Sequence, residues 1–282
     1  MKRRIFKTFL ILFILFILNS FVQVANAGAV TPSYFNQSAI DSKFQYRTNP
    51  NTSEFKANVV NKTNSSNVSI NAEGNINISG LSTANNNRTT LNFQDNLYIE
   101  YKNAIIGPNN EKYNLYQYIN KIEVFNIDSS GFLIKIYNIK GTEYYTGFGI
   151  DNAGYRTTAQ GQPSTYIRFE TRIKVLDSAG HEVNNQLPCV LKVDDIDNLE
   201  QIKFTELSNN INNLNNITQY IYKGNSANEA NTISSSYDEN QTVEFIAVDK
   251  DGKGGDNASI YLLCDDIRNI NSTITNYGSR RN

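Results

Sequence analysis

Six aspartates, in two groups of three, carry the residue type that could bind a metal ion. They are Asp194, Asp195, Asp197, Asp249, Asp251 and Asp256. Ca²⁺ takes oxygen ligands of this kind from loops. Neither group has the alternating acids, central glycine and distal glutamate of the familiar calcium-binding loop. We therefore expect no cofactor and interpret these aspartates as solvated turn residues, with Ca²⁺ bound at one of the two groups as the alternative.

The residues that perform nucleophilic or acid–base catalysis are scarce. The chain has 1 histidine, His181, which lies in the turn of the predicted central hairpin. A catalytic triad would have to use this histidine, and a histidine-based metal site normally needs more than one. Paired carboxylates could serve a secreted glycan hydrolase, although the chain contains no tryptophan for stacking on sugars. The sequence also lacks phosphate-loop and dinucleotide-binding motifs. It therefore predicts a protein that is not an enzyme.

The two cysteines, Cys189 and Cys264, lie in predicted strands. Each alternates with apolar residues that should point inward, namely Leu191 and Val193 for Cys189, and Ile260 and Leu262 for Cys264. An even number of cysteines in a secreted chain is typical of a disulfide. Two buried free thiols are the alternative, because sequence does not give the Cα separation that a disulfide requires.

Three tyrosines are candidate contacts for a glycan: Tyr144, Tyr145 and Tyr155. Tyrosine can present an apolar ring and a hydroxyl to the same ligand. The alternative is that these residues pack in the core or at the edge of the fold.

Residues 1–27 have the features of a secretory signal peptide. Basic residues precede an apolar run over residues 9–18, and Ala25, Asn26 and Ala27 form a cleavage site of the A-x-A type. The run is too short for a spanning helix, which needs roughly 20 residues. Its removal leaves 22 basic and 27 acidic side chains, a net charge of −5. We therefore expect a secreted or cell-surface protein that binds no nucleic acid and has no membrane span after signal removal.

The remaining chain divides into two parts by composition. Residues 28–90 are rich in Asn, Ser and Thr and should be partly disordered, with a hairpin around Gly74. Residues 91–282 contain many short alternating runs separated by turn residues, and no clear helical period. They predict an all-β fold, a mostly antiparallel β-sandwich. Three pairs of runs should form hairpins, over residues 97–127, 119–139 and 242–264.

The stretch over residues 166–204 has the clearest pattern in the chain. Ile167, Phe169, Thr171, Ile173 and Val175 alternate with charged residues, which predicts a strand with one buried face. A turn over residues 177–180 follows, and a second run begins near residue 189. The sequence therefore predicts a central hairpin here.

The order of strands and turns over residues 96–125 and 169–204 resembles the β-sandwich, adhesin-like domains of Gram-positive bacterial cell-surface proteins. The resemblance covers residues 91–274 and implies an extracellular interaction role without enzyme activity. It also implies an internal isopeptide bond from a core lysine, for which Lys102 and Lys192 are candidates without an assigned partner. The chain ends at Asn282 without a wall-sorting signal. We therefore expect a released, non-covalently held or truncated relative of that family.

Together these features predict a secreted, non-enzymatic, adhesin-like or structural surface module whose partner is an extracellular protein or a glycan. A carbohydrate-binding module is the first alternative, and a secreted glycan hydrolase is the second.

Overall fold

The structure is a computed structural model of the chain. It describes residues 45–51, 56–81, 88–127, 131–140, 143–151, 165–193, 200–205, 219–223, 231–237, 243–249, 258–264 and 266–277.

β-strands make up most of the described residues, with one short 3-10 turn at Gln94–Asn96. In chain order the strands are β1 (Arg47–Thr48), β2 (Lys56–Asn61), β3 (Val68–Ile70), β4 (Ile76–Ile78), β5 (Arg88–Asn92), β6 (Leu97–Ile106), β7 (Lys112–Phe125), β8 (Phe132–Lys140), β9 (Glu143–Asp151), β10 (Tyr166–Asp177), β11 (Cys189–Val193), β12 (Glu200–Thr205), β13 (Gln219–Lys223), β14 (Asn231–Tyr237), β15 (Val243–Asp249), β16 (Ala258–Cys264) and β17 (Asn269–Tyr277).

These strands form three sheets. The largest has 10 strands in the order β1-β6-β7-β10-β17-β12-β15-β14, with β2 beside β6 and β5 beside β7. A 4-stranded sheet has the order β3-β4-β8-β9, and a 3-stranded sheet has the order β11-β16-β13. Every described strand pair is antiparallel. The predicted all-β, mostly antiparallel fold is confirmed.

The hydrophobic core lies where the large sheet meets the 4-stranded sheet. Phe169 of β10 is fully buried, and its ring centroid lies 5.0 Å from Phe148 of β9 and 6.4 Å from Phe132 of β8. Ile76 and Ile78 of β4 are also fully buried in this core. The inward residues of facing sheets therefore interdigitate as in a β-sandwich.

Two short-range hairpins form as the sequence predicts. β3 and β4 pair around Gly74, which has a φ of +82° that glycine adopts without steric cost. β6 and β7 pair around a tight turn in which the amide of Gly107 donates to the carbonyl of Glu111. In both cases the turn residues are adjacent in sequence to the strands that they join. β1 to β5, which all begin before residue 91, pair with later strands or with each other.

Three longer-range pairings differ from the sequence prediction. β10 pairs with β7 and β17, whereas β11 pairs with β16 in the 3-stranded sheet. The prediction that β10 and β11 form a central hairpin is therefore wrong. β15 and β16 lie in different sheets, and so do β7 and β8. The turn after β10 does form, but pairing stops at a single bridge between Leu176 and Glu182. Local turn chemistry therefore reverses the chain, and packing against distant strands decides its partner.

The alternation that the sequence predicts for β10 is confirmed. Ile167, Phe169, Thr171 and Val175 are buried, and Ile173 packs against the core. The hydroxyl of Thr171 exchanges a 2.7 Å hydrogen bond with Ser272 of β17, which satisfies both buried groups. The charged residues of β10 therefore lie on the opposite, outer face of the large sheet.

Candidate functional site

The outer face of the large sheet holds a cluster of tyrosines and charged residues. In β6, buried Leu97 and Ile99 alternate with half-buried Tyr98 and Glu100. We define the tyrosine face by its residues on β6, β7, β10 and the flanking segments: Lys62, Asp95, Tyr98, Glu100, Tyr116, Tyr118 and Arg172.

Strand register brings the three tyrosines together. Tyr98 is the direct cross-strand partner of Tyr118, and Glu100 is the partner of Tyr116. The ring centroid of Tyr98 lies 5.1 Å from that of Tyr118 and 5.9 Å from that of Tyr116. Tyr116 and Tyr118 are 6.5 Å apart at an interplanar angle of 23°. These separations fall in the range of favourable aromatic pairs, so the rings form one continuous aromatic surface.

Two cations flank the tyrosine cluster, one over the ring of Tyr98 and one over the ring of Tyr118. The ammonium of Lys62 is 5.5 Å from the ring centroid of Tyr98. The guanidinium carbon of Arg172 is 4.9 Å from the ring centroid of Tyr118. Arg172 also donates a 2.8 Å hydrogen bond to the carboxylate of Asp95. Cation–π contacts and an ion pair therefore hold the edges of the tyrosine face.

The hydroxyl of Tyr116 donates a 2.9 Å hydrogen bond to Glu100 Oε1. The pKa of Tyr116 is raised to about 12, first by burial and then by the hydrogen bond and charge of Glu100. Burial likewise raises the pKa of Tyr118. Both phenols therefore remain neutral hydrogen-bonding groups across the physiological pH range. The site can offer apolar rings, hydroxyls, a carboxylate and two cations to one ligand.

A β-bulge extends the charged surface along β7. Thr171 of β10 pairs with Ile119 and Glu170 pairs with Lys121, so Asn120 is the extra residue. The bulge resets the alternation, and Lys121 reaches the outer face, where its ammonium lies 2.7 Å from the carboxylate of Glu170.

A second cluster surrounds Glu123 on the same outer face. Its carboxylate accepts a 2.6 Å hydrogen bond from Tyr166 and a 3.3 Å hydrogen bond from Arg168. Phe125 stacks on Tyr166 with ring centroids 5.5 Å apart. Burial favours the protonated form of Glu123, but the Tyr166 hydrogen bond and the charges of Arg88, Arg168 and Lys121 outweigh it and lower its pKa. Glu123 is therefore a satisfied, ionised carboxylate.

Most of the residues that the sequence predicts as ligands of calcium or of a glycan lie outside the residues that the structure describes. Asp194, Asp195, Asp197, Asp251, Asp256 and Tyr155 are outside the described residues. Asp249 ends β15, and Tyr144 and Tyr145 lie in β9, with only their backbones described. Among the residues that the structure describes, no three His, Cys, Asp or Glu side chains form a group that could hold a metal ion. The Ca²⁺ sites and the glycan contacts of Tyr144, Tyr145 and Tyr155 stay predictions.

The structure places His181 in a turn that it stabilises, and it places Lys102 on an exposed surface. The amide of His181 donates to Asp177 Oδ1 at 2.8 Å, and its exposed imidazole lies 3.4 Å from Asp177 Oδ2, which stabilises the turn after β10. The side chain of Lys102 is 62% exposed on the outer face. It is therefore not the core lysine that an isopeptide bond requires. The side chain of Lys192 lies outside the described residues.

Cys189 and Cys264 come together in the 3-stranded sheet. They are direct cross-strand partners in the β11–β16 ladder, and both are buried.

Sequence reasoning did not identify the tyrosine face. The alternation in β6 already places Tyr98 and Glu100 outward, and Tyr116 and Tyr118 are spaced by two residues. The sequence pattern does not give the strand register, and it is this register that aligns Tyr98, Tyr118 and Arg172 across three strands.

No family model and no curated protein matches this chain. Its structure is similar to that of the N-terminal domain of the Streptococcus gordonii adhesin Sgo0707, with 12% sequence identity and a TM-score of 0.44. The match covers 82% of this chain and 57% of that chain, so this chain spans little more than half of its length. In the described part of the chain, no helix has the length and hydropathy needed to cross a bilayer.

Proposed function

We propose that the protein is a secreted, non-enzymatic, adhesin-like module of a Gram-positive cell surface, and that its tyrosine face binds an extracellular protein. The observation that carries this proposal is the cluster of three tyrosines between Lys62 and Arg172 on the outer face. The signal peptide that the sequence predicts over residues 1–27 supports this proposal.

The composition of the tyrosine face favours a protein ligand over a glycan. Tyrosine and arginine are the residues that most often carry binding energy at protein–protein interfaces. In this cluster Lys62 lies over the ring of Tyr98 and Arg172 lies over the ring of Tyr118. A sugar that stacks on a ring needs a free ring face, and these cations occupy part of that area. Glycan binding therefore becomes the competing outcome of the experiment.

The test is a binding screen against immobilised extracellular-matrix and plasma proteins, beside a glycan array. The wild-type protein is compared with the double variant Tyr98→Ala/Tyr118→Ala. We expect the wild-type protein to bind at least one protein, and the double variant to bind it roughly 30-fold more weakly, as for a loss of about 2 kcal/mol at a hot spot. The matched control is His181→Ala, whose exposed side chain lies in the turn after β10, and its affinity should equal that of the wild-type protein.

Each other outcome has a defined meaning. Binding to glycans alone would replace the proposal with the carbohydrate-binding alternative. Protein binding that the double variant retains in full would exclude the tyrosine face as the contact surface. Release of sugars from the arrayed glycans would show a hydrolase.

A further inference from the structure

The two cysteines face each other across adjacent antiparallel strands. Cys189 of β11 is the register partner of Cys264 of β16. Directly opposed residues in an antiparallel ladder have Cα atoms roughly 4.5–5.5 Å apart. A disulfide usually joins Cα atoms roughly 4.4–6.8 Å apart. The backbone of the 3-stranded sheet therefore already holds the two residues at a separation that a disulfide can bridge.

The two thiols also contact each other and are shielded from solvent. Cys189 is 6% exposed and Cys264 is 1% exposed. The pKa of the Cys189 thiol is raised well above its ordinary value, first by a hydrogen bond with Cys264, then by burial and by the nearby Asp266. Cys264 in turn donates to the carbonyl of Asp266, with 3.1 Å between sulfur and oxygen. Buried thiols react slowly with external reagents, so the oxidant must reach one cysteine before folding is complete, and the neighbouring sulfur then resolves the mixed disulfide.

A salt bridge and several hydrogen bonds join the two chain segments next to the cysteines. Asp266 is buried, and Arg268 donates to both of its carboxylate oxygens, at 2.9 and 2.6 Å. Arg268 also donates to the carbonyls of Val183 and Asn184, at 2.6 and 3.0 Å. The amide of Ile267 donates to the carbonyl of Leu187 at 3.2 Å. Residues 183–187 and 266–268 are thus fixed against each other independently of the sulfur atoms, which limits the freedom of the thiols to separate.

We propose that Cys189 and Cys264 form a cross-strand disulfide when the protein folds in an oxidising compartment. The oxidant is a small-molecule or enzyme disulfide. The thiolate of one cysteine attacks that disulfide and expels one thiolate, and the second cysteine then attacks the mixed disulfide and expels the other. Two protein thiols and one external disulfide become one protein disulfide and two external thiols. The bond closes a loop over residues 190–263, which holds β12 to β15 between its ends.

The test begins with the full chain, unfolded and reduced, and then refolded in a buffer of oxidised and reduced glutathione. Intact mass under denaturing conditions reports the state of the sulfur atoms. We expect a mass two hydrogens below that of the reduced chain, and no reaction with iodoacetamide until a reductant is added. Two alkylated cysteines, or a stable mixed disulfide with glutathione, would overturn the proposal.

A second measurement separates the disulfide from a general effect of the substitutions. The thermal midpoint of the oxidised wild-type protein should fall by about 10 °C when a reductant is added, because a long closed loop is released. The double variant Cys189→Ala/Cys264→Ala keeps the fold but has no sulfur to reduce, and its midpoint should not respond to the reductant. An unchanged wild-type midpoint would show that the bond is absent or contributes no stability.

Discussion

Glu123 is a buried residue whose charge conflicts with its burial. It is 7% exposed, and a buried carboxylate without partners would be protonated. Tyr166 and Arg168 donate to its Oε1, and Arg88 lies 3.9 Å from the same atom. These contacts hold its pKa below the ordinary value in spite of burial. The native state therefore contains an ionised carboxylate on β7 whose partners come from two other strands, β5 and β10.

The lowered pKa sets the sign of a pH dependence. A carboxyl group whose pKa is depressed on folding contributes stability that is complete above its unfolded pKa, about 4.3. This contribution is lost as the pH falls through the lower, folded-state pKa. We expect Glu123→Gln to lower the free energy of unfolding at pH 7 by about 2 kcal/mol, because a charge-assisted network is broken. Urea unfolding at pH 7 and pH 3 measures this difference, which should shrink at pH 3.

The control for this prediction is Glu182→Gln. Glu182 pairs with Lys174, but its side chain is 79% exposed, and exposed ion pairs contribute little to stability. If Glu182→Gln lowers the free energy of unfolding as much as Glu123→Gln does, the role given to burial is contradicted.

At the scale of single elements, the close approach of β4 and β8 depends on a glycine. Gly131 immediately precedes β8, and a Cβ atom built there would lie only 2.1 Å from the carbonyl oxygen of Ile78 in β4. The nearest obstacle is backbone, which cannot rotate away as a side chain could. The β4–β8 ladder pairs Ile78 with Phe132, next to this glycine. The register of the 4-stranded sheet therefore requires the absence of a side chain at residue 131.

We expect Gly131→Ala to lower the free energy of unfolding by about 1–3 kcal/mol, because the strands must separate to admit the methyl group. Gly180→Asn is the control. Gly180 has a φ of +89° and open space where its Cβ would lie, and asparagine tolerates that conformation. Chemical denaturation compares both variants with the wild-type protein. Equal effects at the two positions would contradict a steric cause.

The strands themselves were predictable from sequence, and many of their partners were not. The alternation in β10 predicted which of its residues are buried, because the period of two is a property of the strand alone. The tight turns between β3 and β4 and between β6 and β7 fixed those pairings locally. The partners of β11 and β16 depend on strands that are distant in the sequence, and no local pattern encodes such a choice. The tyrosine face was missed for the same reason, since Tyr98, Tyr118 and Arg172 lie on three different strands.

At the scale of the whole molecule, one aromatic cluster joins the large sheet to the 4-stranded sheet. Phe169 lies in β10, near the middle of the large sheet, and contacts Phe132 and Phe148 of the 4-stranded sheet. We expect Phe169→Ala to lower the free energy of unfolding by about 3–5 kcal/mol, because it leaves a cavity between the two sheets. Urea denaturation followed by tyrosine fluorescence measures the loss.

The exposed residue Ile70 provides the matched control for the core substitution. Its side chain is 40% exposed, so Ile70→Ala should cost only a small fraction of the loss at Phe169. If Phe169→Ala and Ile70→Ala lower the free energy of unfolding equally, the contact between the sheets does not limit stability.

The pairing of β10 with β17 also constrains the order in which the chain can fold. Thr171 and Ser272, which share a buried hydrogen bond across this pair, are 101 residues apart. The whole chain up to β17 must therefore be present before β10 can acquire its second neighbour. Until then the nascent polypeptide has an unpaired row of amide and carbonyl groups along a central strand. Such high contact order predicts slow folding, and the waiting interval is the period in which incomplete chains are most liable to aggregate.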